Sequence, residues 1–102
     1  MLTHFQKKVY FITRKIPKGR VTTYGEIARA LHTKGRRAVG NALHRNPTPI
    51  IVPCHRVVKS NGRVGGFASG TRNKIKLLRK EGIRVRDGRI VDFKKKLTKL
   101  AD

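Results

Sequence analysis

The sequence predicts an α-rich fold with a few short strands, and three observations support this prediction. Apolar residues recur at helical spacing near the N-terminus, at positions 5, 9, 12 and 16. Two further segments with helical patterns, 23–31 and 36–45, follow one another across a glycine-containing turn. An Asp-Gly pair at 87–88 separates two short apolar segments, which is typical of a tight β-hairpin.

The first third of the chain is predicted to hold two helices. Residues 3–16 form an amphipathic helix with an exposed basic face, because their apolar positions follow a period of 3.6. Pro17-Lys18-Gly19 ends this helix, and residues 20–22 are a short extended segment. Thr23-Tyr24-Gly25-Glu26 has the spacing of a capping box, which satisfies free amide groups at a helix start. The second helix therefore runs from this box to Leu31.

A third helix is predicted over 36–45, after a turn at Gly35. Two helices joined by a short glycine-containing turn have the spacing of a helix-turn-helix motif. The same spacing fits a helical hairpin that only packs the core, so the pattern leaves both interpretations open. Small residues within the third helix would let it approach a DNA backbone or another helix equally well.

The segment after the third helix is stiffened by prolines at positions 47, 49 and 53, each of which fixes φ. The apolar run Ile50-Ile51-Val52 is predicted to be a buried strand that ends at Pro53. Cys54 follows on a rigid loop, and such loops often carry catalytic side chains.

The remaining elements are predicted from turn signals and helical spacing. Ser60-Asn61-Gly62 indicates a turn, and residues 64–70 form a flexible glycine-rich loop. A helix over 71–81 stops at Gly82, where glycine commonly adopts the left-handed conformation. Asp87-Gly88 connects the strands of the hairpin.

A chain of 102 residues can bury one modest core, which predicts a single domain. We expect this domain to cover residues 1–92. The final segment, 93–102, carries lysines at positions 94, 95, 96 and 99 and is predicted to be a frayed basic tail.

The chain is strongly basic, with 26 Lys and Arg against 5 Asp and Glu, a formal net charge of +21. Such charge is self-repelling unless a polyanion neutralises it, and DNA is the polyanion that fits most simply. A membrane surface is a less suitable partner, because the sequence has no apolar stretch of about 18 residues and no signal-peptide pattern. Charge alone would also suit a ribosomal or histone-like protein.

The chain contains one cysteine, Cys54, so an internal disulfide is excluded and a reducing compartment is expected. The histidines at positions 4, 32, 44 and 55 show none of the paired spacings that zinc sites use. We therefore expect neither a metal site nor a cofactor.

Cys54 is followed by His55 and Arg56. A lone intracellular cysteine is most often a small buried apolar residue. Here nearby positive charge favours the thiolate, which is the nucleophilic form. His55 can accept the thiol proton, directly or through a water molecule. The pattern therefore indicates a reactive thiol that acts beside nucleic acid.

Four segments resemble the O6-alkylguanine-DNA alkyltransferase family, which repairs alkylated guanine by moving the alkyl group onto a cysteine of the protein. They span residues 16–25, 37–43, 46–58 and 77–82. In order and spacing they cover about residues 3 to 90, and the Pro53-Cys54-His55-Arg56 block is highly specific. The resemblance implies a winged-helix-like, helix-turn-helix DNA-binding domain, and a minimal member that consists of the catalytic domain only.

The resemblance implies irreversible, single-turnover transfer of an alkyl group from O6-alkylguanine in double-stranded DNA to Cys54. The damaged base would be flipped through the minor groove. His55 would then be the base and Glu81 would hold the histidine. The Tyr24 hydroxyl would approach the flipped base, and Asn46 would tie the recognition helix to the cysteine loop. Without the resemblance, Glu81 also fits a surface ion pair and Tyr24 a core aromatic residue.

The resemblance also implies which residues contact DNA. Arg37 would occupy the space that the flipped base vacates, and the alternative is a phosphate contact, for which Arg36 is the better candidate. The expected DNA contacts are Thr23, Tyr24, Arg36, Arg37, Ala38, Gly40, Asn41 and Arg45.

The alkyl pocket is expected to be lined by Tyr24, Pro49, Val64, Gly65, Phe67 and Ser69. Phe67 and Ala68 stand where many family members have tyrosine and serine. This difference removes two hydrogen-bonding groups and allows a looser or differently shaped pocket.

Three other functions fit parts of the sequence. A non-enzymatic sensor of alkylated DNA resembles this family but has tryptophan in place of the cysteine, so Cys54 argues against it. A basic helix-turn-helix regulator or chromatin protein explains the charge but not the Pro53-Cys54-His55-Arg56 block. A thiol hydrolase would need an oxyanion hole that the sequence does not indicate. We expect a monomer located in the cytoplasm, or in the nucleus of a eukaryote.

Overall fold

The structure is a computed structural model that describes residues 2–33, 35–67 and 69–100. Its helices are α1 (His4–Thr13), α2 (Tyr24–Ala30), α3 (Arg36–His44), α4 (Thr71–Lys80) and α5 (Phe93–Lys96). Its strands are β1 (Thr22–Thr23), β2 (Val57–Val58), β3 (Val85–Arg86) and β4 (Arg89–Ile90), and Cys54–Arg56 forms a 3-10 turn. The predicted α-rich fold with short strands is confirmed. No helix in the described ranges is long and apolar enough to cross a lipid bilayer.

Helix α1 begins at a capping box that the sequence analysis missed. Thr3 Oγ1 accepts a hydrogen bond from Gln6 N at 3.0 Å, and Gln6 Oε1 accepts one from Thr3 N at 2.9 Å. The helix ends at Thr13 rather than at residue 16. Ile16 precedes a proline, which disfavours helical φ and ψ at that position. It is nevertheless buried, because a turn returns it to the core, with Ile16 N donating to Thr13 O at 3.1 Å.

Helices α2 and α3 form the predicted pair. Thr23 Oγ1 accepts a hydrogen bond from Glu26 N at 3.0 Å and thereby caps α2. The inner face of α3 packs into an apolar cluster with α1 and α2. The Tyr10 hydroxyl, on α1, donates to the carbonyl oxygen of Ala42 at 2.6 Å. One face of α3 is therefore fixed to the core, which leaves the opposite face exposed.

Strand pairing brings together two segments that are distant in sequence. β1 pairs in parallel with β2, with Thr22 opposite Val57 and Thr23 opposite Val58. Helix α2 begins directly after β1, and the 3-10 turn ends directly before β2. The pairing therefore places Tyr24 and Cys54 on the wall of one cavity.

A second apolar cluster packs beneath α4 and the hairpin. Its buried members are Val21, Val58, Val64, Leu78, Ile83, Val85 and Ile90. β3 pairs with β4 in antiparallel orientation, and the turn residues Asp87 and Gly88 have φ values of +50° and +74°. These values are those of a type I′ turn, so the predicted hairpin is confirmed. Gly82 follows α4 with φ +84°, which confirms the predicted helix stop.

The predicted buried strand at 50–52 is wrong. Ile50 and Ile51 are 63% and 68% exposed and belong to a turn in which Val52 N donates to Thr48 O at 3.0 Å. Ile50 has φ +78°, which lies outside the extended region. The flanking prolines have no N–H group to donate to a sheet. As a result, Val52 alone of the three apolar residues is buried.

Residues 93–100 are not frayed, which corrects the expectation for the tail. They begin with α5 and then run beside β1, where Thr98 N donates to Val21 O at 2.7 Å. Leu100 N donates to Glu26 Oε1 at 3.0 Å. Two apolar residues that flank the lysines, Phe93 and Leu100, pack against the two clusters and hold the segment in place. The domain boundary at residue 92 stays a prediction.

Candidate active site

Cys54 lies at the wall of a cavity with a volume of about 340 Å³. Pro53 has φ −78° and ψ 65°, and Cys54 N donates to Val52 O at 2.7 Å, which is the geometry of an inverse γ-turn. This turn fixes the backbone that carries the thiol, and Cys54 is 8% exposed. The residues that line the cavity are Tyr24, Gly40, Asn41, Leu43, His44, Cys54, Gly66 and Phe67. Its volume is within the range of small-molecule sites.

Asn46 connects the end of α3 to the cysteine loop. Its Nδ2 donates to Val52 O at 2.8 Å, and its Oδ1 accepts from Thr48 N at 3.0 Å. These two bonds span the loop between α3 and Cys54. The contacts fit the tying role that the resemblance implies for Asn46, and its expected place among the catalytic residues stays a prediction.

His55, Glu81 and Arg56 form a hydrogen-bonded chain beneath the cysteine turn. His55 Nε2 lies 3.1 Å from Glu81 Oε2. Arg56 Nε donates to Glu81 Oε1 at 2.9 Å, and Arg56 Nη1 donates to Ile16 O at 2.8 Å. The Glu81 carboxylate thus holds the imidazole as predicted from the sequence, while Arg56 holds the carboxylate, a contact the sequence analysis missed.

The charges of this chain follow from burial and hydrogen bonding. Burial opposes the ionised form of Glu81, but hydrogen bonds from Arg56 and His55 outweigh it and lower the pKa of the carboxyl. Burial lowers the pKa of His55, and the Glu81 carboxylate opposes this shift only in part. His55 is therefore neutral near pH 7.

In the neutral form of His55, one ring nitrogen carries the proton and the other can accept a hydrogen bond. Because a carboxylate only accepts hydrogen bonds, Nε2 carries the proton in the neutral ring and Nδ1 carries the lone pair. Nδ1 is buried and forms no hydrogen bond with any described residue. The buried imidazole therefore has a free basic nitrogen beside the cysteine turn.

Tyr24 is the first residue of α2 and lines the same cavity as Cys54. Burial raises the pKa of its hydroxyl, and the negative charge of a Cys54 thiolate raises it further. The phenol therefore keeps its proton at neutral pH and can act as a hydrogen-bond donor toward the cavity.

Lys74 is a site residue that the sequence analysis missed. It is fully buried on the inner face of α4. Its Nζ donates to Val57 O at 2.6 Å, to Gly66 O at 3.2 Å and to the Tyr24 hydroxyl oxygen at 3.4 Å. These three bonds account for the three donors of an ammonium group. Burial lowers the pKa of Lys74 to about 8, and the charge of a Cys54 thiolate opposes this shift.

Helical spacing contains a signal for the burial of Lys74. Leu78 is buried in the core of the second cluster, and Lys74 lies four residues before it on the same helix face. An amphipathic reading of α4 that started from Leu78 would have placed a lysine on the inner face. Because buried lysines are rare without polar partners, that position is a candidate for a functional group.

The exposed face of α3 borders a second hollow of about 440 Å³. Its lining residues are Tyr24, Gly25, Arg36, Arg37, Gly40, Asn41, Lys59, Ser60 and Asn61. It thus contains Tyr24 and four of the α3 residues that we expected to contact DNA. The opposite wall consists of Lys59, Ser60 and Asn61. The sequence predicted a turn at 60–62 but no part for it in a site. Tyr24, Gly40 and Asn41 also line the first cavity, so the two spaces adjoin.

The other expected DNA contacts differ in exposure. Ala38 and Arg45 are exposed on α3 and directly after it. The Arg36 side chain packs against Gly25. A Cβ atom added to Gly25 would lie 3.2 Å from the Arg36 guanidinium. Thr23 is buried and its hydroxyl caps α2, so its side chain has a structural role, and the expected DNA contact stays a prediction.

The expected pocket residues lie in different places. Tyr24 and Phe67 line the cavity, and Gly65 lies beside the Tyr24 hydroxyl with φ +78°. Val64 belongs to the second apolar cluster, which places it in the core and not in the pocket.

Two further expected pocket residues lie outside the cavity wall. Pro49 is exposed, and Ser69 accepts a hydrogen bond from Asn73 Nδ2 at 2.7 Å. Ala68 lies outside the described residues. In their place, Gly66, Leu43 and His44 line the cavity, and helical position near the end of α3 is the signal that would have found the last two.

The described parts of the chain, 2–33, 35–67 and 69–100, contain no cluster of three His, Cys, Asp or Glu side chains that could hold a metal ion. That the protein uses neither metal nor cofactor stays a prediction.

Comparisons with known proteins identify the family. Residues 4–83 match the model of the 6-O-methylguanine DNA methyltransferase, DNA binding domain. A methylated-DNA–protein-cysteine methyltransferase from Thermococcus kodakarensis is 50% identical over 84 residues, which are 81% of this chain and 47% of that protein. One from Methanosarcina acetivorans is 52% identical over 81 residues, covering 78% and 52%. The chain spans about half the length of the curated relatives it matches.

Solved structures agree with this assignment. Mycobacterium tuberculosis OGT in complex with DNA is 42% identical with a TM-score of 0.77, and the match covers 80% of this chain and 51% of that one. S. pombe Atl1, in complex with damaged DNA containing O6-carboxymethylguanine, is 30% identical with a TM-score of 0.84 and covers 98% and 100%. The sequence match over 4–83 and the shared fold show that this chain belongs to the 6-O-methylguanine DNA methyltransferase family.

Proposed function

We propose that this protein repairs O6-alkylguanine in duplex DNA by moving the alkyl group onto Cys54, acting as a monomer without a cofactor. The observation that carries the proposal is the position of Cys54, at the wall of a cavity that Tyr24 also lines and directly before the buried His55. The names of the relatives and the DNA in the M. tuberculosis OGT complex support it.

The first step is removal of the thiol proton. Glu81 fixes the proton of the neutral imidazole on Nε2, and the lone pair of His55 Nδ1 accepts the proton of Cys54, directly or through one water molecule. The lowered pKa of His55 keeps the ring neutral at pH 7, so the base is present in its active form.

The second step is an in-line substitution at the alkyl carbon. A bond forms between Cys54 Sγ and this carbon, and the bond from the carbon to guanine O6 breaks with its electron pair on the guanine. The Tyr24 hydroxyl donates a hydrogen bond to the purine as negative charge develops there. Lys74 donates to the Tyr24 oxygen and strengthens that donor. The proton that left Cys54 is returned from His55 to the guanine, so the products are a thioether and neutral guanine.

The transfer ends the reaction for that protein molecule. A thioether has no good leaving group in neutral water, and the chain has no second cysteine to accept the alkyl group. Each protein molecule therefore repairs one base.

The alkylated base must leave the duplex before it reaches Cys54. Flipping a base costs a few kcal/mol, least for a damaged pair, and contacts made in the flipped state offset this cost. Helix α3 enters the minor groove with its exposed face, and the adjoining hollow and cavity give the flipped base a path to the thiol. Arg37 fills the space that the base vacates.

A second candidate function is recognition of alkylated DNA without transfer. The match to S. pombe Atl1, which covers nearly all of both chains, favours it. Cys54 and the His55–Glu81 pair argue for transfer, because a sensor has no need of an activated thiol.

One experiment separates the two functions. The protein is mixed with a duplex that contains one O6-methylguanine, and the DNA is then digested and its bases quantified. We expect guanine to replace O6-methylguanine with the wild-type protein, while Cys54→Ser binds the duplex and leaves the lesion unchanged. Binding by both proteins with no restored guanine would overturn the transfer proposal in favour of a sensor.

A further inference from the structure

The exposed side of α4 and the hairpin that follows it carry many basic side chains that the proposed alkyl transfer does not use. We define the α4 basic surface by its exposed residues, which are Arg72, Lys76, Arg79, Lys80, Arg84, Arg86 and Arg89. The segment 71–90 contains two acidic residues, Glu81 and Asp87. Glu81 is bonded to His55 and Arg56, so it does not neutralise this surface.

The α4 basic surface points away from the candidate active site. Successive residues are about 100° apart around an α-helix, so Arg72 and Lys76 lie on the side opposite Lys74. Lys74 Nζ reaches inward to the Tyr24 hydroxyl and Val57 O. Within α4, the exposed basic side chains therefore lie on the side of the helix that faces away from the candidate active site.

Folding alone does not explain this arrangement of charge. Arg72, Lys76 and Lys80 follow one another at i, i+4 and i+8, and like charges at this spacing destabilise a helix. No Asp or Glu occurs within α4 to compensate. Repulsion among these three side chains lowers the stability of the free protein, and an anionic partner would relieve it.

The shape of the surface is suited to an extended anion. One hollow is lined by Arg72, Ile75, Lys76, Arg79 and Lys80, and a second by Arg79, Gly82, Ile83, Arg84, Val85, Arg86 and Val91. Arg79 belongs to both, and its Nη2 donates to Val85 O at 3.0 Å, which holds the guanidinium between them. The two hollows therefore adjoin at Arg79, and both have cationic side chains in their walls.

We propose that the α4 basic surface binds the phosphate backbone of a second DNA duplex while the α3 face holds the first, so that one protein molecule bridges two duplex segments. Arginine and lysine contacts to phosphate are independent of sequence, as a surface that meets undamaged DNA requires. Two relatives have been solved in complex with DNA, which makes duplex DNA the polyanion that fits this surface best. The inference rests on the DNA binding by α3 proposed above, but it goes beyond the alkyl transfer and does not require it.

The test compares three variants that each lose three positive charges. The first is Arg72→Gln/Lys76→Gln/Lys80→Gln on the α4 basic surface. The matched control is Lys7→Gln/Lys8→Gln/Arg14→Gln on and directly after α1, which also replaces one arginine and two lysines, all exposed. The third is Arg36→Gln/Arg37→Gln/Arg45→Gln on the α3 face.

Bridging is measured by energy transfer between two undamaged duplexes, one labelled with a donor and one with an acceptor, as protein is added. We expect the α4 variant to need at least about tenfold more protein than wild type to bridge, with a salt slope for the second duplex that is lower by about 2 to 3. Its affinity for a single duplex, measured by anisotropy at low DNA concentration, should stay within about twofold, since α3 is unchanged. The α1 control should bridge like wild type, and the α3 variant should not bridge.

Other results would overturn the proposal. Equal bridging by the α4 variant and wild type would show that this surface is a solvated face. An equal loss in the α1 control would assign the effect to net charge. Bridging by the α3 variant would place the two duplexes elsewhere on the protein, and a loss confined to binding of phosphatidylserine vesicles would indicate a membrane surface instead. Because no alkylated base is used, failure of alkyl transfer would leave this result unaffected.

Discussion

The ammonium of Lys74 lies 3.4 Å from the hydroxyl oxygen of Tyr24, although the two residues are 50 positions apart. The contact joins α4 to the first residue of α2 at the wall of the cavity that Cys54 borders. A buried cation is thus held against the phenol that faces the leaving group in the proposed reaction. Lys74 is therefore a site residue that became apparent only in the structure.

Replacing Lys74 by methionine should slow alkyl transfer by about 10²-fold at pH 7, because the Tyr24 donor loses the cation that polarises it. Methionine has nearly the length of the lysine side chain, and its apolar character suits the buried position. The measurement is the single-turnover rate with a methylated duplex, together with thermal unfolding to verify that the variant folds. Lys8→Met, on the exposed side of α1, is the matched control and should stay within about twofold. Similar rates for Lys74→Met and wild type would limit Lys74 to a structural role.

The transfer rate should have a bell-shaped dependence on pH. Burial lowers the pKa of His55 below its ordinary value of 6.5, so the rate rises as pH increases through that lowered pKa and the base becomes neutral. Burial lowers the pKa of Lys74 to about 8, so the rate falls as pH increases through about 8 and the ammonium is lost. Single-turnover rates from about pH 5 to about pH 10 measure both limbs.

The variant Lys74→Met serves as the control for the upper limb. Its residual activity should not fall near pH 8, because the group that titrates there is absent. An upper limb that persists in this variant would assign the titration to another residue.

Replacing Arg56 by glutamine should lower the free energy of unfolding by about 2 kcal/mol at pH 7, because Glu81 loses charged hydrogen bonds while its side chain is only 12% exposed. The folded pKa of Glu81 is below its ordinary value of 4.5. Its contribution is therefore present above the unfolded pKa and is lost as pH falls through the folded pKa. Urea denaturation at several pH values measures the difference between wild type and variant, which should shrink in acid.

Arg84→Gln provides the comparison for Arg56, since this arginine is exposed and its loss should change stability by no more than about 0.5 kcal/mol. A deficit in Arg56→Gln that does not change with pH would place the effect in the contact with Ile16 O and not in the ion pair.

Replacing Arg37 by alanine should slow transfer from duplex DNA by about tenfold or more while transfer from free O6-methylguanine base changes little, because only the duplex has to be opened. Rates are measured on both substrates with the same protein preparation. Arg14→Ala on α1 is the control for loss of one exposed positive charge. An equal decrease on the two substrates would show that Arg37 acts on the chemistry or the fold and not on flipping.

Local signals in the sequence were sufficient for much of the fold. The cap at Thr23, the glycine stop at Gly82 and the turn at Asp87-Gly88 each depend on a few neighbouring residues, and all three are present in the structure. The candidate site at Cys54 was also located from local signals, because His55 and Arg56 adjoin the cysteine in sequence.

Two features were not predicted, the burial of Lys74 and the order of residues 93–100, and both depend on contacts between distant segments. The burial of Lys74 requires acceptors from Val57 and Gly66, and these become close only when α4 packs against the cysteine turn. Residues 93–100 are ordered by hydrogen bonds to Val21 and Glu26, at the other end of the chain. Ile50 was assigned to a strand because it is hydrophobic. Its positive φ has no signal in the sequence.

The stoichiometry of methyl transfer tests the central claim most directly. The protein is incubated with an excess of duplex that contains O6-[³H-methyl]guanine, and the radioactivity bound to protein is followed until it stops increasing. We predict a plateau at one methyl group per protein molecule, located by mass spectrometry on the peptide that contains Cys54, and no transfer to Cys54→Ser. Continued removal of methyl groups beyond one per molecule, or a methyl group on any other residue, would contradict the account.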